Sequence, residues 1–192
     1  MTKHAPASLI YVALGDSLTV GTGASYKGYV DRYADYLRTD SSTQVSVINL
    51  GQDGQTSTEL LHALRNDAYS QQTVSAASII TFNTGLNDLG HAGEAYENAT
   101  CGGAANQDCL RAAVETFKEN WDAIIAELLS LRSSSNTIIC TIGMGHTPKI
   151  FVDEAITTWP SEGKIEDFGV LKPYVEEVNN HIATTTGDKD VP

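Results

Sequence analysis

Basic residues are scarce in this sequence, and so are long apolar runs. Its 12 Lys and Arg stand against 24 Asp and Glu, which gives a formal net charge of -12. Nucleic acids and anionic membrane surfaces are bound by basic faces, so we predict that neither is the main partner. No apolar run approaches the roughly 20 residues that are needed to cross a bilayer, so we predict no transmembrane segment.

Internal repeats, low-complexity tracts and long linkers are absent from the sequence as well. The 192 residues are 41% hydrophobic and 19% charged, which is ordinary for a soluble globular protein. Because a chain of this length can bury a hydrophobic core of its own, we predict one domain over residues 1–192.

Cysteine is rare too, with three residues in the chain. Cys140 ends an apolar run and is predicted to be a buried strand thiol. Cys101 and Cys109 flank a small, flexible stretch and could close a short loop as a disulfide, which would favour an oxidising compartment.

The polar start, residues 1–8, lacks the apolar core of a signal peptide. The compartment stays open between the cytoplasm and secretion with the signal removed, and we favour the second.

Short apolar runs alternate with helical patterns along the chain. Residues 9–14 form a continuous apolar run bounded by Gly15, as expected for a strand that is buried on both faces. This alternation predicts an α/β fold, a parallel sheet with right-handed crossovers and helices on both faces. The predicted strands are 9–14, 45–50, 78–83 and 137–142, and the predicted helices are 29–37, 56–68, 108–131 and 170–184.

Residues suited to acyl transfer follow three of these strands, at the end of the sheet where parallel sheets bind ligands. Ser17 follows the first strand at a strand-to-helix turn, which exposes its hydroxyl and places its N–H at the positive end of a helix. Gly54 follows the second strand just before a helix, where an amide N–H is free to donate outward. Asn87 follows the third strand and supplies a carboxamide. A hydroxyl with three fixed donors is the set that attacks an acyl carbon and stabilises the oxyanion.

Each of these residues, taken singly, has a structural alternative. Ser17 could be a helix cap, Gly54 an ordinary turn glycine, and Asn87 an Asx-turn residue. Their occurrence at three successive strand ends is harder to explain in this way, and it favours a common site.

The motifs at these strand ends are similar to those of a known family. Gly15-Asp-Ser-Leu18 after an apolar strand, a glycine-containing second block around Gly54 and the third block Gly85-Leu-Asn-Asp88 resemble blocks I, II and III of the GDSL (SGNH) hydrolases. The resemblance covers essentially the whole chain and implies a flavodoxin-like three-layer fold without metal or organic cofactor. It implies a carboxylic ester hydrolase that acts through an acyl-enzyme, with Ser17 as nucleophile and with Gly54 and Asn87 completing the oxyanion hole.

The base that activates the serine comes, in this family, from a fourth block, Asp-x-x-His, after a fifth strand. Residues 187–192 end the chain and resemble the run-up to that strand, and no such block follows them. We therefore expect a C-terminally incomplete domain, slow ester hydrolysis, and an unpaired sheet edge open to self-association. The only Asp-x-x-His is Asp88-Leu-Gly-His91, which lies on the wrong loop for the family geometry.

Asp16 and His146 are further candidates, in both cases for substrate binding. Asp16 is not expected to be the triad acid; we expect it to bond backbone groups in the turn. His146 follows the fourth strand, where it could line the pocket or act as the base. Two longer connections, 91–107 and 147–168, are expected to form rims of the crevice. Four apolar residues either line an acyl pocket there or pack onto helices: Phe151, Ile156, Trp159 and Phe168.

The resemblance implies a small-molecule, lipid or carbohydrate ester as substrate, and nothing in the sequence selects among these. A nucleotide-binding module is disfavoured, because residues 21–26 lack the third glycine of the dinucleotide fingerprint and no Gly-Lys-Ser/Thr phosphate loop exists. The alternative that stays open is a non-catalytic, esterase-like binding domain.

Overall fold

The computed structural model describes residues 8–144 and 165–187. Strands and helices alternate along these residues, as the sequence predicts. The strands are β1 (Ser8–Leu14), β2 (Gln44–Asn49), β3 (Ile79–Phe82) and β4 (Ile138–Thr141). The helices are α1 (Ser17–Val20), α2 (Tyr29–Ser41), α3 (Ser57–Asn66), α4 (Ala68–Ala76), α5 (Leu86–Glu97), α6 (Asp108–Leu131) and α7 (Ile165–Gly187), and a 3₁₀ turn covers Ala104–Asn106.

The described strands form one parallel sheet in the order β2-β1-β3-β4. Strand β1 is interior, and its Tyr11 pairs with Val47 of β2 on one side and with Ile79 of β3 on the other. Parallel strands end at the same edge of a sheet, so the loops after β2 and β3 flank the loop after β1. The predicted α/β class is confirmed, and the sheet order brings the three candidate loops side by side.

Side chains of β1 alternate between two hydrophobic cores. Tyr11 and Ala13 are buried in a core that includes Val30 and Ala34 of α2. The intervening Val12 and Leu14 are buried in a larger core built with α3, α4, α6 and α7. Helices therefore cover both faces of the sheet, which is why β1 is apolar at nearly every position.

The predicted helix over 56–68 is in fact the start of two helices. Asp67 ends α3 and begins α4, where its Oδ2 accepts the Ser70 N–H at 2.9 Å and the Ser70 hydroxyl at 2.6 Å. This carboxylate satisfies the first amides of a new helix, so the chain changes direction at residue 67.

The segment after Asn87, predicted as a connection, contains α5. Gly90 and Gly93 lower the helix propensity of this stretch, which is why its pattern does not indicate a helix. Tertiary packing stabilises the helix despite this low propensity, since Leu89 and Ala92 are buried on the inner face of α5. Asn87 therefore lies in the first turn of a helix rather than in a loop.

The cysteines divide as their spacing suggested. Cys101 and Cys109 form a disulfide at the start of α6. Cys140 is a free thiol on β4, half-buried rather than fully buried because β4 is an outer strand of the described sheet. No helix within residues 8–144 and 165–187 is long and apolar enough to span a bilayer.

Candidate active site

The turn that carries Ser17 is shaped by the two residues before it. Gly15 has φ +136°, and a Cβ added there would lie 2.4 Å from the Asn83 carbonyl oxygen. Asp16 caps α1, with its Oδ1 accepting the Leu18 N–H at 3.0 Å. Ser17 is half-buried as the first residue of α1, and its hydroxyl has no hydrogen-bond partner among the described residues. The sharp turn thus places the Ser17 hydroxyl at the end of β1, where no described residue forms a hydrogen bond with it.

Asp16 is 1% exposed, so the predicted contact with substrate does not fit its position. Its Oδ1 also accepts the Asn83 side-chain N–H at 2.7 Å, which ties the turn to the end of β3. The expected bond from Asp16 to a backbone amide of the turn is present. The Asp16 side chain stabilises the turn, and it is too buried to contact a ligand.

A buried polar network continues beneath this turn. Thr19 bonds the Asn83 side-chain oxygen, the Leu14 carbonyl and the Tyr29 hydroxyl. Tyr11 bonds Thr81 at 2.8 Å in the same layer. Burial raises the pKa of both tyrosines, so they stay neutral hydrogen-bonding groups over the whole physiological pH range.

The loop after β2 is bonded directly to the Ser17 turn. The Gln52 N–H donates to the Gly15 carbonyl at 2.8 Å, and the Thr22 hydroxyl donates to the Asp53 carboxylate at 2.6 Å. Gly54 follows with φ +76°, a left-handed conformation that favours glycine, and nothing lies within 4 Å of a Cβ added there. The space on the Cβ side of Gly54 is therefore open, in a loop that is bonded to the turn that carries Ser17.

Helix α3 begins three residues after Gly54 with a capping box. The Thr56 hydroxyl accepts the Glu59 N–H, while the Glu59 carboxylate accepts the Thr56 N–H at 2.9 Å. The Thr56 backbone N–H, and then its hydroxyl, hold the pKa of Glu59 below its usual value. These reciprocal bonds fix the place where the β2 loop becomes a helix.

Asn87 is anchored to the same loop. Its Nδ2 donates to the Gln55 carbonyl at 2.9 Å, one residue beyond Gly54. An amide nitrogen has two N–H groups, so one remains available to a ligand. The half-buried carboxamide therefore lies next to the Gly54 peptide.

Hydrogen bonds thus join the three segments that carry Ser17, Gly54 and Asn87 at one edge of the sheet. Sequence reasoning found those three residues but missed Asn83, which closes the β3 end of the arrangement. A polar residue at the end of a buried strand was a usable signal for it. Asn120, in the middle of α6, gave no such signal, although its side chain bonds Ser57 and Thr58 at the start of α3.

A cavity of about 330 Å³ runs from the β2 loop along α3. The side chains around it are mostly polar, and they include two carboxylates and a histidine. The lining thus combines polar side-chain groups with apolar surface. The lining residues are Gln52, Gln55, Glu59, His62, Ala63, Asp67 and Ser70.

The described histidines lie on helices. His91 is on α5 and His62 on α3, both exposed, so His91 is a surface residue as expected but of a helix and not of a loop. His181 on α7 has its Nε2 3.3 Å from Asp122 Oδ1 of α6. Residues 1–7, 145–164 and 188–192 lie outside the described part of the chain, and so do the predictions for His146, Phe151, Ile156 and Trp159 and for the run-up to a fifth strand. The Phe168 side chain lies outside it as well.

A metal centre is not assembled by the residues that the structure describes. No group of three or more His, Cys, Asp and Glu side chains comes together in residues 8–144 and 165–187.

Comparisons with known proteins identify the family of this chain. The model of the GDSL-like lipase/acylhydrolase family matches residues 13–192. A curated relative, the spore germination lipase LipC of Bacillus licheniformis, is 30% identical over 132 residues, which cover 68% of this chain and 59% of the relative. This chain therefore spans under two thirds of that relative's length.

Solved structures share the fold. A lipase from a goat rumen metagenome superposes with a TM-score of 0.70 and 25% identity over 90% of this chain and 73% of that one. The extracellular lipase of Streptomyces rimosus superposes with a TM-score of 0.60 and 19% identity over 95% of this chain and 78% of that one. The predicted three-layer fold of the family is confirmed by these likenesses. The chain belongs to the GDSL-like lipase/acylhydrolase family, a family of hydrolases.

Proposed function

We propose that this protein is a carboxylic ester hydrolase with Ser17 as its nucleophile. One observation carries the proposal: the Ser17 turn is bonded to the loop with Gly54, and that loop is bonded to Asn87. These bonds support a site in which the Ser17 hydroxyl faces N–H donors from the neighbouring segments, which is the requirement for acyl transfer.

The reaction that we propose has two halves. Ser17 Oγ attacks the ester carbonyl carbon while a base takes its proton, and the tetrahedral intermediate then expels the alcohol, which recovers the proton. Water attacks the resulting acyl-serine, and the acid leaves as Ser17 regains its proton. In both halves the carbonyl oxygen carries negative charge, which the Ser17 and Gly54 amides and the free Asn87 N–H stabilise.

The base is the part of the mechanism that residues 8–144 and 165–187 support least. None of the described histidines is bonded to Ser17. The sequence contains one Asp-x-x-His, residues 88–91, and its histidine is exposed on α5. Because an unassisted serine is a weak nucleophile, we propose that the 192-residue chain turns esters over slowly.

The substrate class follows from the relatives' names only as a proposal. The Bacillus licheniformis relative and the goat rumen structure are both named lipases. We propose that this chain acts on carboxylic esters, lipid esters among them.

The proposed nucleophile is tested by covalent labelling with a fluorophosphonate and mass mapping of the modified residue. Wild type should be labelled at Ser17, slowly, while Ser17→Ala should lose the label and Ser46→Ala, on the exposed face of β2, should keep it. Label on another serine, or equal label in Ser17→Ala, would contradict the proposal. A chain that binds ester analogues but takes no label even after prolonged exposure would instead be a binding domain.

Turnover on a short p-nitrophenyl ester tests the expectation of slow hydrolysis. Because no histidine within residues 8–144 and 165–187 is bonded to Ser17, we expect slow turnover that is measurable above the Ser17→Ala background. Robust hydrolysis that His91→Ala abolishes would assign the base to residue 91 and overturn this expectation. Robust hydrolysis that survives His91→Ala and is lost in His146→Ala would assign it to residue 146.

A further inference from the structure

Asp88 connects the two segments that carry the proposed oxyanion donors. It follows Asn87 in the first turn of α5, and both of its carboxylate oxygens are used. Its Oδ2 accepts the Ser57 N–H at 2.9 Å, and its Oδ1 accepts the Ser57 hydroxyl. The carboxylate thus sits at the N-terminus of α3, a helix of ten residues, where a negative charge is favoured.

Ser57 is held from the other side as well. The residue is fully buried, and its Oγ accepts the Asn120 Nδ2 at 2.9 Å. The same Asn120 nitrogen donates to Thr58 Oγ1 at 2.8 Å. Asn120 lies in the interior of α6, a helix of 24 residues, so this contact ties the start of α3 to a rigid element.

Two cross-links therefore run in parallel between the β2 loop and the start of α5. Asn87 bonds the carbonyl of residue 55, and Asp88 bonds the amide and hydroxyl of residue 57. Gly54 lies directly before the first cross-linked residue. Any slip of α3 against α5 would have to break both links, and it would change the distance between the Gly54 amide and the Asn87 carboxamide.

We infer that Asp88 is a positioning residue that keeps the Gly54 and Asn87 donors aimed at one oxyanion. It does not touch the substrate; it acts through Ser57 on the geometry of the β2 loop. The inference rests on the proposed function, since it concerns the same site. Fixed donors matter because loss of one typically costs 10²- to 10³-fold in turnover, and a misplaced donor loses part of that effect.

A matched control is present in the chain. Asp67 makes the same pair of bonds at the start of α4, to the N–H and hydroxyl of Ser70, but no candidate donor lies in the turn before it. Asp88→Ala and Asp67→Ala each remove a carboxylate that caps a helix. Both should lower the unfolding midpoint by a similar amount, about 2–4 °C.

The rate of Ser17 acylation should distinguish Asp88→Ala from Asp67→Ala. The rate is measured in single turnovers with enzyme in excess over p-nitrophenyl acetate, which resolves slow acylation, and the Ser17→Ala rate is subtracted. Asp88→Ala should lower the limiting rate about 10- to 100-fold and leave the half-saturating concentration within about twofold. Asp67→Ala should stay within about twofold in both. Asp88→Asn, which keeps one acceptor oxygen, should fall between wild type and Asp88→Ala and serves if Asp88→Ala does not fold.

Hydrogen exchange at the Ser57 amide separates failure of this inference from failure of the proposed function. Exchange should accelerate in Asp88→Ala and stay unchanged in Asp67→Ala. Equal acylation rates in the two variants, or an Asp88→Ala effect confined to half-saturation, would overturn the positioning role. Absence of Ser17-dependent acylation in wild type would overturn the proposed function and this catalytic role with it. Unchanged exchange in Asp88→Ala would overturn the structural link itself.

Discussion

Gly15 shows how much of the candidate site depends on the backbone of a single residue. Its φ of +136° is open to few residues other than glycine, and the Asn83 carbonyl and side chain fill the space where a Cβ would lie. The close approach brings the end of β3 against the Ser17 turn. The turn therefore keeps its shape through backbone geometry as well as through the bonds of Asp16.

Gly15→Ala should destabilise the protein strongly, because it combines an unfavourable φ with a clash against backbone. We expect a loss of about 2–4 kcal/mol in the free energy of unfolding, measured by urea titration. Gly23→Ala is the matched control, since Gly23 has φ +77° but nothing within 4 Å of its added Cβ. It should cost only the conformational strain, about 1–2 kcal/mol. Equal losses in both variants would show that the contact with Asn83 has no energetic weight.

Single residues were predictable where the chain places them at the end of a strand. Ser17, Gly54 and Asn87 could be nominated because each follows a recognisable apolar run. Ser57 and Asn120 could not, because their bond joins positions 63 residues apart and neither lies in a motif. A local sequence pattern identifies a candidate site residue at the end of a strand. It does not identify the distant residues that hydrogen-bond to the segment carrying it.

The helices around the site follow the same rule at a larger scale. The helix over 108–131 was predicted with the bounds that α6 has, and apolar residues on its inner face are buried, among them Val114, Phe117, Trp121 and Leu128. Helix α5 was not readable, because its glycines mask a helix that packing on α6 and α7 stabilises. The break between α3 and α4 was also missed, since it depends on one carboxylate that changes the direction of the chain. Sequence periodicity therefore predicted the elements with a long apolar face and failed where tertiary contacts decide.

The capping box of α3 makes the β2 loop sensitive to acid. Hydrogen bonds from Thr56 lower the pKa of Glu59 in the folded state, so the ionised form favours folding. This contribution is fully present above the ordinary glutamate pKa, about 4.3, and is lost as the pH falls toward the lower folded value. The start of α3 should loosen at acid pH.

Glu59→Gln tests this linkage, because glutamine can still bond the Thr56 N–H but does not titrate. Thermal unfolding followed between about pH 6 and pH 3 should fall less steeply for Glu59→Gln than for wild type. The pKa of Asp67 is also lowered, first by the Ser70 hydroxyl and then by the Ser70 backbone N–H, so Asp67→Asn should flatten the curve independently. Parallel curves for wild type and Glu59→Gln would show that the carboxylate charge adds nothing to the cap.

The whole molecule has an outer strand that suggests a mode of association. Strand β4 ends the described sheet, and its Ile138 is 48% exposed. No strand within residues 8–144 and 165–187 pairs with its outer side. An edge of this kind offers unpaired backbone groups to another strand, so we propose self-association through β4.

Light scattering over a concentration series checks this proposal. Wild type should show a mass that rises with concentration, and Ile138→Lys should lower it, since a charged edge residue disfavours strand pairing. Ser46→Lys places the same charge on β2, the opposite outer strand, and should leave the mass unchanged. A monomer at every concentration in wild type would contradict association through β4.

The hydrogen bonds around Ser17 also limit the order in which parts of the chain can fold during synthesis. The bond between Asp16 and Asn83 joins residues 67 positions apart, and the bond between Ser57 and Asn120 joins residues 63 positions apart. Neither bond can form until the second residue has been synthesised. A ribosome therefore releases the serine long before it has made the residues that surround it. Until α6 has emerged, the nascent chain lacks the contact that ties the start of α3 to α6, so the reactivity that we propose for Ser17 can only follow the folding of the residues around it.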